Sequence, residues 1–184
     1  LKYALVRRSR EQEALSIHRL VQVVIRDQMD EQSRQHWEQR TVLAVSTAFP
    51  SVQHQSWPQC DRLLPHALLC ATWIEQEPMT APEAARLLNQ TGDYLNERAR
   101  YTEAEPLYQR ALAIHEQQVG PQHPDTASSL NNLAALYQDQ GKYEQAEPLY
   151  QRALAIREQQ VGALHPHTAS NLNNLALLYW NQGK

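Results

Sequence analysis

Eight histidines and two cysteines are the side chains with which this 184-residue chain could hold a metal or activate a nucleophile. Their surroundings argue against both. His165 and His167 flank Pro166 and His123 precedes Pro124, all in turn-like stretches without cysteine or carboxylate partners at ligand spacing, so they read as surface turns. Cys60 and Cys70 stand ten residues apart, outside any C-x-x-C frame and without the neighbours that mark an activated thiol. Glu105 and Glu147 each precede a proline on a helical face, where solvated charge accounts for them. No G-x-x-x-x-G-K-[ST] loop and no acidic Walker-type run is present, so the chain binds no nucleotide by itself. It is expected to be non-catalytic and to carry no metal or cofactor of its own.

Composition narrows the setting. Seventeen basic and twenty acidic residues leave a net charge near −3, too balanced to imply nucleic acid or an anionic membrane for the whole chain. No run of eighteen apolar residues exists, so no membrane span is expected. The scarcity of cysteine points to a reducing compartment, hence a cytoplasmic location. Leu1 is not an initiator methionine and no leader follows it, so the chain is expected to be part of something longer.

Any candidate residue must be positioned by repeated elements. Residues 101–142 recur as residues 143–184 with 32 of 42 positions identical, and residues 84–100 align one period earlier, keeping Leu88, Asn89 and the small Gly92 in register. Each unit reads as two helices. Leu130, Leu133, Ala134 and Tyr137 form the apolar stripe of a first helix, and Ala146, Leu149, Tyr150, Ala153 and Leu154 that of a second. Pro124 and Pro166 fit a first helical position, while Gly120 and Gly162 fit left-handed caps. Three first helices and two second helices are therefore expected over residues 83–184.

The stretches His123 to Ala127, Leu130 to Ala134, Gly141 to Glu147 and Arg152 to Leu154 resemble the tetratricopeptide repeat (TPR), in the 42-residue form found in kinesin light chains. The resemblance implies an all-α, right-handed α-solenoid whose first helices line a concave groove, the family's usual site for a protein or peptide partner. Helix geometry places groove side chains one or two positions off the buried stripe. Asn89, Asn131 and Asn173 form one such row, and Asn96, Gln138 and Trp180 another. Amides both donate and accept, which suits the backbone of an extended peptide. TPRs that clamp a terminal carboxylate use Lys and Arg here. This chain has Asn, followed by Asp93, Ala135 and Leu177, which disfavours a chaperone-tail ligand.

Residues 31–82 read as a helical linker or worn repeat. Trp37, Thr41, Ala44, Val45 and Ala48 form one stripe, and Leu64, Ala67, Leu68, Ala71 and Ile74 another. Over residues 1–30, Tyr3 to Arg8 and Ala14 to His18 signal a β-hairpin, followed by a helix from about Arg19 to Met29. With Ile17 to Gln22, this stretch resembles the C-terminal part of the winged-helix domain in NB-ARC, or STAND, signalling ATPases, which are NLR-like switches. By that resemblance His18 matches a histidine that senses the β-phosphate of bound ADP, although Arg19 stands where Asp is usual. ADP or ATP would then belong to an ATPase upstream.

Three functions follow as expectations. The leading one is the sensor region of such a signalling NTPase, with its ligand in the concave groove. A constitutive scaffold or cargo adaptor resembling kinesin light chain is the second. The third takes Arg7, Arg8, Arg10, Arg19 and Arg26 as a winged-helix contact to DNA, for which five dispersed cations are a modest footprint. The last helix leaves Leu172, Leu175 and Tyr179 without a covering second helix, and self-association through that face is expected.

Overall fold

Each proline that opens a helix and each glycine that follows one punctuates the chain into pairs of amphipathic helices. The computed structural model describes residues 6–9, 14–17, 19–76, 79 and 81–183, except for the side chains of 6–9, 14–16, 19 and 20. The chain divides into two units, Leu1–Arg40 and Thr41–Lys184.

In the first unit β1 (Val6–Ser9) pairs antiparallel with β2 (Ala14–Ile17), with Val6 opposite Ile17 and Ser9 opposite Ala14. Helix α1 (Arg19–Gln28) follows, and Gln22 Nε2 donates 2.9 Å to the Ile17 carbonyl. Val23, Val24 and Ile25 of α1 are each about half exposed. Asp30 Oδ1 accepts from the Ser33 amide at 2.7 Å at the start of α2 (Glu31–Ala48), and Arg26 pairs at 3.6 Å with Glu38. His18 and Arg10 lie outside the described residues, as do the side chains of Arg7, Arg8 and Arg19.

The second unit is a right-handed α-solenoid. After a 3-10 turn at His54–Ser56 come α3 (Trp57–Gln76), α4 (Pro82–Glu97), α5 (Tyr101–Gln118), α6 (Pro124–Asp139), α7 (Tyr143–Val161) and α8 (Pro166–Gln182). First helices α4, α6 and α8 alternate with second helices α5 and α7. Pro65, Pro106 and Pro148 sit inside α3, α5 and α7, which continue through them. One buried cluster spans α2 to α6, and two smaller ones join α6, α7 and α8.

One sequence expectation needs correction. The buried stripe of α2 in this unit is Val42 and Ser46, continued by Phe49; of the predicted stripe Val45 packs against that cluster and Thr41 is half-buried, while Ala44 and Ala48 are exposed. Phe49 is 2% exposed in the largest buried cluster, while Trp37 is 53% exposed under the Arg40 guanidinium. In α3 the predicted stripe holds, with Leu64, Ala67 and Ile74 buried and Leu68 and Ala71 packed against the same cluster, and Cys60 and Cys70 join them in the core. Burial pushes the Cys70 thiol up to about 11, as suits a packing residue.

The repeated turns explain the histidines. His123 Nδ1 accepts from the Asp125 amide at 3.1 Å, and His165 Nδ1 from the His167 amide at 3.2 Å, so both cap the helices that Pro124 and Pro166 open. Buried Thr126 and Thr168 donate to the carbonyls of Gly120 and Gly162 at 2.7 and 2.8 Å, locking each turn. Gly162 has φ 91° and ψ 160°, a conformation reserved for glycine and distinct from the left-handed helical cap expected there.

The candidate partner groove

Successive first helices run side by side, and their seams decide which polar residues stay available. Asn89 Nδ2 on α4 donates to Ser129 Oγ on α6 at 3.1 Å, and Asn174 Nδ2 on α8 donates to Asn131 Oδ1 on α6 at 2.9 Å. Asn96 Nδ2 at the end of α4 donates to Asp139 Oδ2 on α6 at 2.7 Å. These predicted groove amides therefore stitch one repeat to the next. Gln138 is half-buried beside them, with its Oε1 buried and unpaired. Asn173 is exposed on α8, and Trp180 is 80% exposed.

The open floor belongs to the row beside those amides. A cavity of about 250 Å³ is lined by Asp93, Asn96 and Glu97 of α4, Asn132 and Ala135 of α6, Tyr108 of α5 and Val52. Helix α4 places Asp93 and Glu97 one turn apart, so both carboxylates enter from the same face. Tyr108 crosses from the second helix and donates to Asp93 Oδ1 at 2.7 Å. It comes that close because Gly92 is there: a Cβ on Gly92 would lie 2.8 Å from Tyr108 Cε1. The second repeat carries Ala134 with Tyr150, and Ala135 in place of Asp93, so this tyrosine–carboxylate pair is unique to the first repeat among the described residues.

Burial pushes the Asp93 carboxyl up to about 6, against the Tyr108 hydrogen bond, which favours the ionised form; the Glu97 charge raises it further. Burial and the Asp93 charge push the Tyr108 hydroxyl up as well, so it remains a donor. None of the lining residues is cationic. By the 42-residue register, Leu177 and Trp180 of α8 occupy the positions of Ala135 and Gln138, and Leu177 is 48% exposed. The groove thus passes from carboxylates at α4 to apolar and aromatic surface at α8. Among the described residues, no group of three His, Cys, Asp or Glu could hold a metal ion.

Glu105 and Glu147, read from sequence as solvated charges, have a structural task. Tyr137 Oη donates to Glu105 Oε1 at 3.1 Å and Gln109 Nε2 adds a contact at 3.2 Å; Tyr179 and Gln151 treat Glu147 in the same way at 3.1 and 3.2 Å. Each second helix is thereby tied to the next first helix. A proline follows each glutamate and a glutamine stands one turn on in both repeats, but the tyrosine partner lies 32 residues away and only folding brings it in.

The tetratricopeptide repeat model matches residues 83–159 and 125–184, together more than half of the chain. A domain of unknown function, DUF7779, matches residues 1–34. A nucleotide-binding leucine-rich repeat (NLR)-like protein of Hyaloscypha variabilis is 36% identical over 126 residues, 66% of this chain and 12% of that relative. The chain therefore spans about one eighth of that relative's length. Among solved structures, BtubC (BKLC) from P. vanneervenii superposes with a TM-score of 0.65 at 21% identity, covering 85% of this chain and 59% of that one. A Podosopora anserina protein described as a kinesin light chain with nearly identical TPR-like repeats gives a TM-score of 0.60 at 18% identity, covering 84% of this chain and 70% of that one. At these identities the two structures establish the shared fold alone. No helix of the described residues is long and apolar enough to cross a membrane.

Proposed function

Because this chain belongs to the tetratricopeptide repeat family, we propose that its concave groove binds an extended protein segment and serves as the sensor region of an NB-ARC or STAND-type signalling NTPase. The observation that carries the signalling half is the 36% identity to an NLR-like protein, of whose length the match covers 12%. The antiparallel strand pair and the helix after it support this reading, being what is expected of a winged-helix end. In this reading the NTPase lies outside the present chain, and His18 senses the nucleotide that the NTPase holds. A ligand in the groove shifts the switch only by its difference in affinity between closed and open forms.

The test uses the intact protein encoded by the full gene. ADP should co-purify with it, and His18→Ala should release that ADP faster than the parent does. A full-length protein without a phosphate-binding loop and without bound nucleotide would sink the switch. The 42-residue repeat, which resembles that of kinesin light chains in sequence, supports a second reading, a constitutive scaffold with the same groove and no nucleotide dependence. Partner affinity that is equal in the ADP-loaded and nucleotide-free states would select it.

A further inference from the structure

The acidic end of the groove has charge that the protein itself does not answer. Asp93 Oδ1 accepts from Tyr108 at 2.7 Å and, more weakly, from Asn132 Nδ2 at 3.4 Å, while Oδ2 has no partner among the described residues. Glu97 makes no hydrogen bond or ion pair among them. Asn96, on the same wall, has a buried Oδ1 with no partner, its amide nitrogen being committed to Asp139. The cavity between these groups has a volume of about 250 Å³, large enough for the end of a long side chain. The wall is thus rich in acceptors and short of donors. Asp93 is half-buried and Glu97 exposed; a half-buried carboxylate without a counter-charge is costly, and the raised proton affinity of Asp93 reflects that cost. An ammonium or guanidinium group brings only donors together with the missing charge.

At the other end, Leu177 and Trp180 stand one helical turn apart on α8, 48% and 80% exposed. Neighbouring first helices at an interaxial distance of about 9 Å place α8 about 18 Å from α4. An extended segment rising about 3.3 Å per residue spans that gap in five or six residues.

Resting on the reading of this groove as a peptide site, we propose that its partner is an extended segment that places a lysine or arginine side chain between Asp93 and Glu97 and lays an apolar side chain, five or six residues away, against Leu177 and Trp180. The two ends act differently. The carboxylates select charge and make affinity fall with salt, while the α8 ledge contributes salt-independent contact area.

The experiment screens the whole 184-residue chain against a random decapeptide library blocked at both ends. Binders are then titrated calorimetrically at 50 and 300 mM NaCl. Retained peptides should carry Lys or Arg five or six positions from an apolar residue. The isosteric double variant Asp93→Asn/Glu97→Gln should weaken them about tenfold and flatten the salt dependence, the equivalent of about 1.4 kcal/mol. Trp180→Ala should weaken the same peptides and leave the salt dependence intact. Binders without a basic residue, or unchanged by the double variant but weakened by Trp180→Ala, overturn the cationic subsite and leave the groove reading standing. An empty screen, or binders indifferent to both sets of substitutions, overturns the groove reading and the cationic subsite with it.

Discussion

Asp93 couples the stability of the repeat array to pH through a single proton. Its carboxyl binds that proton near pH 6 in the folded chain, against an ordinary value of 3.8. Between those two values the folded state holds more protons than the unfolded state, so this group's contribution to stability falls as pH rises through the window and stays low above it. Asp93→Asn keeps an acceptor for the Tyr108 hydroxyl and removes the ionised carboxylate. It should stabilise the chain by about 1 kcal/mol at pH 7.5, or about 2–4 °C in Tm, with the gain shrinking to nothing as pH approaches 4. Melting both proteins by circular dichroism at the two pH values checks this; an equal shift at both, or a loss at pH 7.5, removes Asp93 as the titrating group. The row containing Asp93 is visible in sequence because it follows the repeated asparagine row. What makes it unusual is not visible there, since Tyr108 lies 15 residues on and reaches it only through the space that Gly92 leaves.

At the scale of the helix, the repeats were legible wherever a rule of local geometry applied to both copies. Pro124 and Pro166 open helices, and Leu130, Leu133 and Ala134 are buried on the predicted face. Helix α2 resisted because polar and apolar residues surround its axis almost evenly, and its buried face, Val42 and Ser46, is continued by Phe49 just beyond its end. The junction after α4 departs from the pattern in the other direction. Gly141 and Gly183 follow α6 and α8 with φ of 73° and 74°, and the equivalent Ala99 after α4 is held at φ 55°. An alanine there is strained by about 1 kcal/mol, while glycine gives up some of that gain through its freer unfolded chain. Ala99→Gly should therefore stabilise the chain by about 0.5 kcal/mol with no change in the slope of urea unfolding. Destabilisation of that size or more would mean that the Ala99 methyl makes contacts that outweigh its backbone strain.

In the solenoid as a whole, each repeat is supported chiefly by its neighbours, so stability should vary along the array instead of being shared evenly. The duplicated sequence makes α6 and α8 nearly interchangeable as strings, yet their surroundings differ. Leu130 is fully buried on α6, where α7 covers it, and its counterpart Leu172 on α8 is 45% exposed. Among the described residues α8 buries Thr168, Asn171 and Leu178, whereas α4 buries a run from Ala84 to Leu95 in the largest cluster. Losing the cover of one leucine and part of its neighbours lowers the cost of local opening by roughly 2 kcal/mol, or about thirtyfold in amide protection. Native-state hydrogen exchange on the dilute chain should therefore show α8 exchanging about thirtyfold faster than α4, with α6 between them. Equal protection of α4 and α8 under those conditions would contradict a graded array. If protection of α8 instead climbs with protein concentration while α4 is unchanged, the Leu172 face is being covered by a second molecule. Closely similar helices would then owe much of their difference in stability to what lies against them, as the shared leucine shows, fully buried as Leu130 and 45% exposed as Leu172.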